Sequence, residues 1–151
     1  MGEHKKVQVW IYRKKPDGSP DIETGSYEVL LLRTIAKRGS FWQPVTGSVE
    51  KGETVAAAAL REAREETGLA FAHEIESLDK SFVFESPRKE IEEHGFALRA
   101  PDGGAIKMDP REHDDHQWVT PEAALKLVYF SSNADMLRIL MARLKKNEPK
   151  K

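Results

Sequence analysis

The stretch Gly47-Ser48-Val49-Glu50-Lys51-Gly52-Glu53, followed by seven residues and then by Arg61-Glu62-Ala63-Arg64-Glu65-Glu66-Thr67-Gly68-Leu69, decides how this chain folds. Its second half reads as a helix over about residues 54–67. Thr54 is a residue type that caps a first turn, and Gly68 is one that ends a helix in the left-handed conformation. The run from Ala56 to Ala59 favours helix and is small enough to approach a sheet closely. On such a helix Glu62, Glu65 and Glu66 stand at i, i+3 and i+4 and share one face. Like charges so placed destabilise a lone helix, so a compensating cation is expected. Arg61, four residues before Glu65, is placed to orient it. Hard divalent ions such as magnesium take oxygen ligands, commonly one or two carboxylates plus substrate phosphates. The plain alternative is a solvated face, which is what most helical Glu and Arg residues form.

The spacing of the whole stretch decides between these readings. Seven fixed letters are present at fixed intervals, and at roughly 7% each chance supplies on the order of one match in 10^8 windows. The segment resembles the Nudix box, G-x5-E-x7-R-E-U-x-E-E-x-G-U with U an aliphatic residue. Ala63 stands where a larger aliphatic is usual. The resemblance implies an α/β fold: an α/β/α sandwich with a central mixed β-sheet and a catalytic loop-helix-loop. It also implies hydrolysis of a nucleoside diphosphate linked to another moiety, with Mg2+ as cofactor and Mn2+ as the alternative. Glu62, Glu65 and Glu66 match the family's metal-binding carboxylates, with the Gly47 backbone carbonyl close by. Glu53 matches the glutamate that braces the loop, Gly68 the glycine that closes the helix, and Arg61 the arginine that holds these acids by ion pairing. Among clustered carboxylates, one left unliganded could serve as general base.

Outside the box, Phe41-Trp42-Gln43-Pro44-Val45-Thr46-Gly47-Ser48-Val49-Glu50 is similar to a run in dihydroneopterin triphosphate pyrophosphatases. Arg111-Glu112-His113-Asp114-Asp115-His116-Gln117-Trp118-Val119 and Ser132-Asn133 are similar to further stretches of that subfamily. Residues 82–108, where substrate contacts should fall, match it poorly. The similarity implies that Glu112 is a further metal-binding or catalytic acid; otherwise it is an exposed loop acid. Trp42 is a candidate for stacking on a base or pterin ring, with Gln43 and Thr46 as further substrate contacts. Arg33 is a candidate phosphate ligand, although an arginine ending a strand is more often solvated. His113 and His116, with Asp114 and Asp115, read as loop residues near the pocket mouth, with metal ligation as the sharper alternative. Trp10 and Trp118 read as core.

The rest of the chain bounds these readings. Its 151 residues fit one domain, 1–151, with a frayed basic tail from about 146. There is no cysteine, and 24 basic residues against 25 acidic leave a net charge of −1. No broad footprint for nucleic acid is expected from that balance. No apolar run approaches the roughly 18 residues of a membrane span, and the polar start lacks a secretion signal. The resemblance implies a small-molecule nucleotide or pterin triphosphate as partner, and the expectation is a cytoplasmic monomer or homodimer with no stable nucleic-acid partner and no membrane. Strands are expected at 7–12 and 27–33, joined as a hairpin through the turn at 16–20. Others are expected at 41–45, 69–73, 81–85, 89–98 and 117–119. Residues 34–40 read as a polar loop. Helices are expected at 121–127, opened by Thr120 and Pro121, and at 133–145, where Met136, Leu137, Leu140, Met141 and Leu144 form one face.

Three functions compete. The first is a pyrophosphohydrolase acting on a nucleoside triphosphate-like compound, dihydroneopterin triphosphate or a dNTP, and releasing a monophosphate and pyrophosphate. The second is the same chemistry on a dinucleoside polyphosphate, a nucleotide sugar or 5'-triphosphate RNA. The third is a non-catalytic nucleotide sensor, against which the full set of box carboxylates stands.

Overall fold

In the computed structural model, which describes residues 3–16, 26–85, 87 and 89–147, strand alternation sorts the core into two layers. The strands are β1 (Glu3–Lys14), β2 (Tyr27–Thr34), β3 (Trp42–Gln43), β4 (Val45–Ser48), β5 (Glu76–Glu85), β6 (Glu90–Arg99) and β7 (His113–Val119). The helices are α1 (Val55–Thr67), α2 (Pro121–Leu127) and α3 (Ser131–Asn147). Successive strand side chains point to opposite faces. Val7, Val9 and Ile11 of β1, Leu30 and Leu32 of β2, and Phe96 and Leu98 of β6 therefore meet on one face, against Ala58, Ala59 and Ala63 of α1. Trp10, Val29, Leu31 and Ala97 face the other way, against Ala124 of α2 and Met136, Leu137, Leu140 and Leu144 of α3. The result is the expected mixed sheet with helices on both faces. Met141 is only partly buried, at the edge of this second layer.

The seven strands form one sheet, ordered β3-β2-β1-β6-β5, with β4 also pairing β1 and β7 also pairing β2. The β1–β6 pair is parallel and runs from Glu3↔Glu90 to Tyr12↔Arg99; the other pairs are antiparallel. The expected hairpin is present but short, with Tyr12↔Val29 to Lys14↔Tyr27 in register. Residues 17–20 of its expected turn lie outside the described residues, as do residues 148–151 of the tail.

Two local expectations change. Residues 69–73 are not a strand. Leu69 and Phe71 are apolar because they pack into the α1 layer, not because they pair in the sheet. The polar-looking stretch from His113 to His116 belongs to β7, which pairs with β2 through Leu32↔His116 and Thr34↔His113. His113 is consequently 3% exposed, a core position and not a loop at the pocket mouth. Within loop 34–40, Ala36–Arg38 form a single 3-10 turn. Among the described residues no helix is long and apolar enough to cross a membrane.

Candidate active site

The box folds as a loop that feeds α1, and local chemistry fixes both ends of that helix. The Thr54 hydroxyl accepts from the Ala57 N–H at 3.1 Å. Gly68 ends the helix at φ 70°, with its N–H donating to the Arg64 carbonyl. Arg61 ties the loop to the helix. Its Nε and Nη2 donate to Glu53 at 2.8 and 3.0 Å, and Nη2 also donates to the Ser48 carbonyl at 2.9 Å. Its Nη1 donates to Glu62 at 2.6 Å and to Glu65 at 3.3 Å. Glu53 in turn accepts the Glu50 N–H at 3.0 Å, which closes the turn before the helix. The Arg61 guanidinium, then the Glu50 N–H, hold the Glu53 carboxyl down at about 2. Glu53, mainly, and Glu62 raise the Arg61 pKa. Bidentate charge-assisted bonds of this kind fix geometry as well as charge.

Glu62 and Glu66 face inward, where charge is expensive. Burial pushes both carboxyls up. For Glu62 the neighbouring Arg61 opposes the rise, whereas Glu65 and Glu112 add to it. Glu66 is 5% exposed and is pushed up to about 9 by burial, then by Glu62 and Glu112, against one backbone hydrogen bond from Thr46. Its Oε2 has no partner. Gly47 gives the Glu62 carboxylate its place: a Cβ there would overlap it, and the acid would have to move. These two acids line a polar cavity of about 240 Å³ with Glu112, Gln43, Thr46, Gly47, Ser48, Lys6, Arg38 and His113.

Glu112 enters that wall from the turn before β7. Its carbonyl accepts the Ile35 N–H at 3.1 Å, and its carboxylate lies 3.6 Å from Arg38 Nη1. Burial lowers the His113 pKa, and its Nδ1 has no partner. Among the described residues no three acids or histidines are already drawn in around one point as an ion cage. The donor set nevertheless fits a hard divalent ion. Glu66 has a buried oxygen without a partner, and the partly buried Glu62 carboxylate rests against Gly47 beside it.

The other candidates divide by strand parity. In β3 the neighbours Trp42 and Gln43 point to opposite faces. Gln43 and Thr46 reach the cavity, whereas Trp42 packs against the α3 layer. Arg33 is turned from the cavity as well: its Nε donates to Asp114 at 2.8 Å, and its guanidinium lies 5.6 Å over the Trp42 ring. Glu65 stands outside the cavity wall, more than half exposed, against Arg61. His116 pairs in β7 and does not line the polar cavity.

A second cavity, of about 280 Å³, shares Lys6, Gln43 and Thr46 with the first. Phe84, Ile91, Phe130, Glu93, Ser132 and Asn133 complete its lining. Sequence reasoning missed Lys6, Arg38 and Glu93. One signal was readable: Gln8 interrupts an apolar strand, and a polar residue at a core position needs a partner.

Residues 9–140 match the NUDIX domain family, and the chain belongs to that family. Fold and box together are those of a Nudix hydrolase domain. Its fold is similar to that of a NUDIX hydrolase from Listeria monocytogenes, at 27% identity, with TM-score 0.77 over 94% of each chain. An Ap4A hydrolase from C. elegans is similar at 25% identity and TM-score 0.70, over 95% of this chain and 98% of that one. The dihydroneopterin triphosphate pyrophosphohydrolase of E. coli is similar at 26% and 0.69, over 92% and 95%. In sequence, the chain is 40% identical over 106 residues to an octanoyltransferase from Myxococcus xanthus. That match takes in 68% of this chain and 29% of the length of that curated relative.

Proposed function

We propose that this enzyme hydrolyses a nucleoside triphosphate-like compound, dihydroneopterin triphosphate or a dNTP, to a monophosphate and pyrophosphate. The observation that carries this reading is the pair of cavities with a common wall. One is lined by acids and the other by Phe84, Ile91 and Phe130, and Lys6, Gln43 and Thr46 belong to both. A ligand with a charged chain at one end and a flat ring at the other fits that division.

Glu62, Glu66, Glu112 and the Gly47 carbonyl would hold Mg2+ or Mn2+, with Glu65 as a further ligand at the rim. Divalent ions so held supply neutralisation of phosphate charge and polarisation of the phosphoryl group. Arg61 positions Glu62 and Glu65 through its Nη1. Glu112, which enters the wall from outside the helix that carries the others, would orient the attacking water and accept its proton where it is left unliganded by the ion. Lys6 and Arg38 are the cations on the cavity wall available to the phosphate chain.

An activity panel scoring pyrophosphate against phosphate release tests this reading. Dihydroneopterin triphosphate and dNTPs should outrank dinucleoside polyphosphates, nucleotide sugars and 5'-triphosphate RNA. Preferential turnover of nucleotide sugars would overturn the substrate assignment and leave the family membership standing.

A further inference from the structure

Behind the apolar cavity runs a buried polar relay whose hydrogen-bond directions are fixed by one group. The Trp10 indole N–H can only donate. It donates to Gln8 Oε1 at 3.0 Å, and so sets which end of the Gln8 amide is which. Gln8 Nε2 then donates to Glu93 Oε1 at 2.9 Å. The Asn133 amide must likewise turn its Nδ2 to Gln8 Oε1, at 3.3 Å. Asn133 Oδ1 is left without a partner, although the residue is 3% exposed. Glu93 is 8% exposed. Both Glu93 and Asn133 line the cavity, beside Phe84, Ile91 and Phe130.

We propose that this cavity is the ring subsite and selects heterocycles that present a ring N–H beside an exocyclic amine, the edge shared by guanine and pterin, to Glu93 and Asn133 Oδ1. The relay offers acceptors here, and a polar group that stays buried without a partner favours the ligand that supplies one. Adenine and cytosine place a ring-nitrogen acceptor beside their amine, so one acceptor would face another. The apolar side chains take the faces of the ring, as aromatic walls do. This selection deepens the proposed reaction and rests on it for the triphosphate, but ring binding itself needs no hydrolysis.

The test is calorimetric binding of deoxyguanosine, deoxyinosine and deoxyadenosine monophosphates, and of neopterin, to the full chain in EDTA. The wild-type protein should bind the guanine nucleotide about 10-fold or more tightly than the inosine analogue, which lacks only the amine, and than the adenine nucleotide. Glu93→Gln should erase that preference, because Gln8 Nε2 holds the Oε1 of residue 93 and the amide Nε2 then meets the ring edge as a donor. Should the variant fail to fold, the wild-type guanine-to-inosine ratio decides alone. Neopterin binding tighter than the guanine nucleotide assigns the edge to a pterin, and weaker binding assigns it to guanine. Equal affinity for guanine and adenine nucleotides, or an unchanged ratio in a folded Glu93→Gln protein, overturns the proposal. Guanine or neopterin preference without hydrolysis of any triphosphate would keep the subsite and end the proposed reaction; hydrolysis without preference would do the reverse.

Discussion

At Glu66 a carboxyl lies 5% exposed beside Glu62 and Glu112, supported by one backbone N–H. With its pKa raised to about 9, the folded metal-free protein holds a proton there that the unfolded chain releases near the ordinary carboxylate value. Its stabilising contribution is therefore full below about pH 4.5 and is lost as pH rises through about 9, with a slope of up to about 1.4 kcal/mol per pH unit between. Thermal melts in EDTA should show that decline, and Glu66→Gln should flatten it and raise the melting temperature at pH 8. Adding Mg2+ should restore stability to the wild-type protein at pH 8 by mass action and do much less for the variant. A pH-independent wild-type melt would remove the buried-acid argument. The same substitution should lower turnover by on the order of 10²-fold or more, since the metal's charge stabilisation is worth several kcal/mol. Glu112→Gln separates two roles for a single acid. As base or ligand it should cut kcat by about 10²-fold or more with little change in KM, whereas a bystander acid would leave both constants as they were.

The loop-helix-loop has its own vulnerabilities at the scale of an element. Thr54→Ala removes the oxygen that accepts the Ala57 N–H and should cost about 1 kcal/mol in urea melts, with kcat per folded molecule retained. Gly47→Ala should behave in the opposite way. A Cβ there collides with the Glu62 carboxylate, so the acid must move, and turnover with Mg2+ should fall further than stability does. Equal loss of both would mean that Gly47 serves only the fold. The helix itself was readable from its letters because caps, small residues and acid spacing are local. Residues 69–73 were not, since Leu69 and Phe71 carry an apolar signal that a strand and a buried connection share. For β7 the difficulty was reversed. Its His-Asp-Asp-His start looks like a loop, and pairing with β2 makes it a strand.

At the scale of the whole molecule, one wall of Lys6, Gln43 and Thr46 separates an acid cavity from an aromatic one. A triphosphate laid across that wall presents a phosphorus within its chain to the acids. Hydrolysis in oxygen-18 water, followed by mass spectrometry, should place label in the monophosphate or the pyrophosphate, with no free phosphate as first product. Release of phosphate first, itself carrying the label, would show that the terminal phosphorus is attacked and would reverse the placement of the chain. The fold class, the three helices and the spacing of Glu62, Glu65 and Glu66 along one of them were legible in the sequence itself, because each rests on residues a few positions apart and on their own propensities. Which of the candidates meet was decided by tertiary structure. Strand parity sent Gln43 inward and Trp42 away, the β2–β7 pairing buried His113, and the sheet brought Gln8 to Asn133 across 125 positions of chain. Such contacts are fixed by register and by which layers pack, and neither is encoded in neighbouring letters.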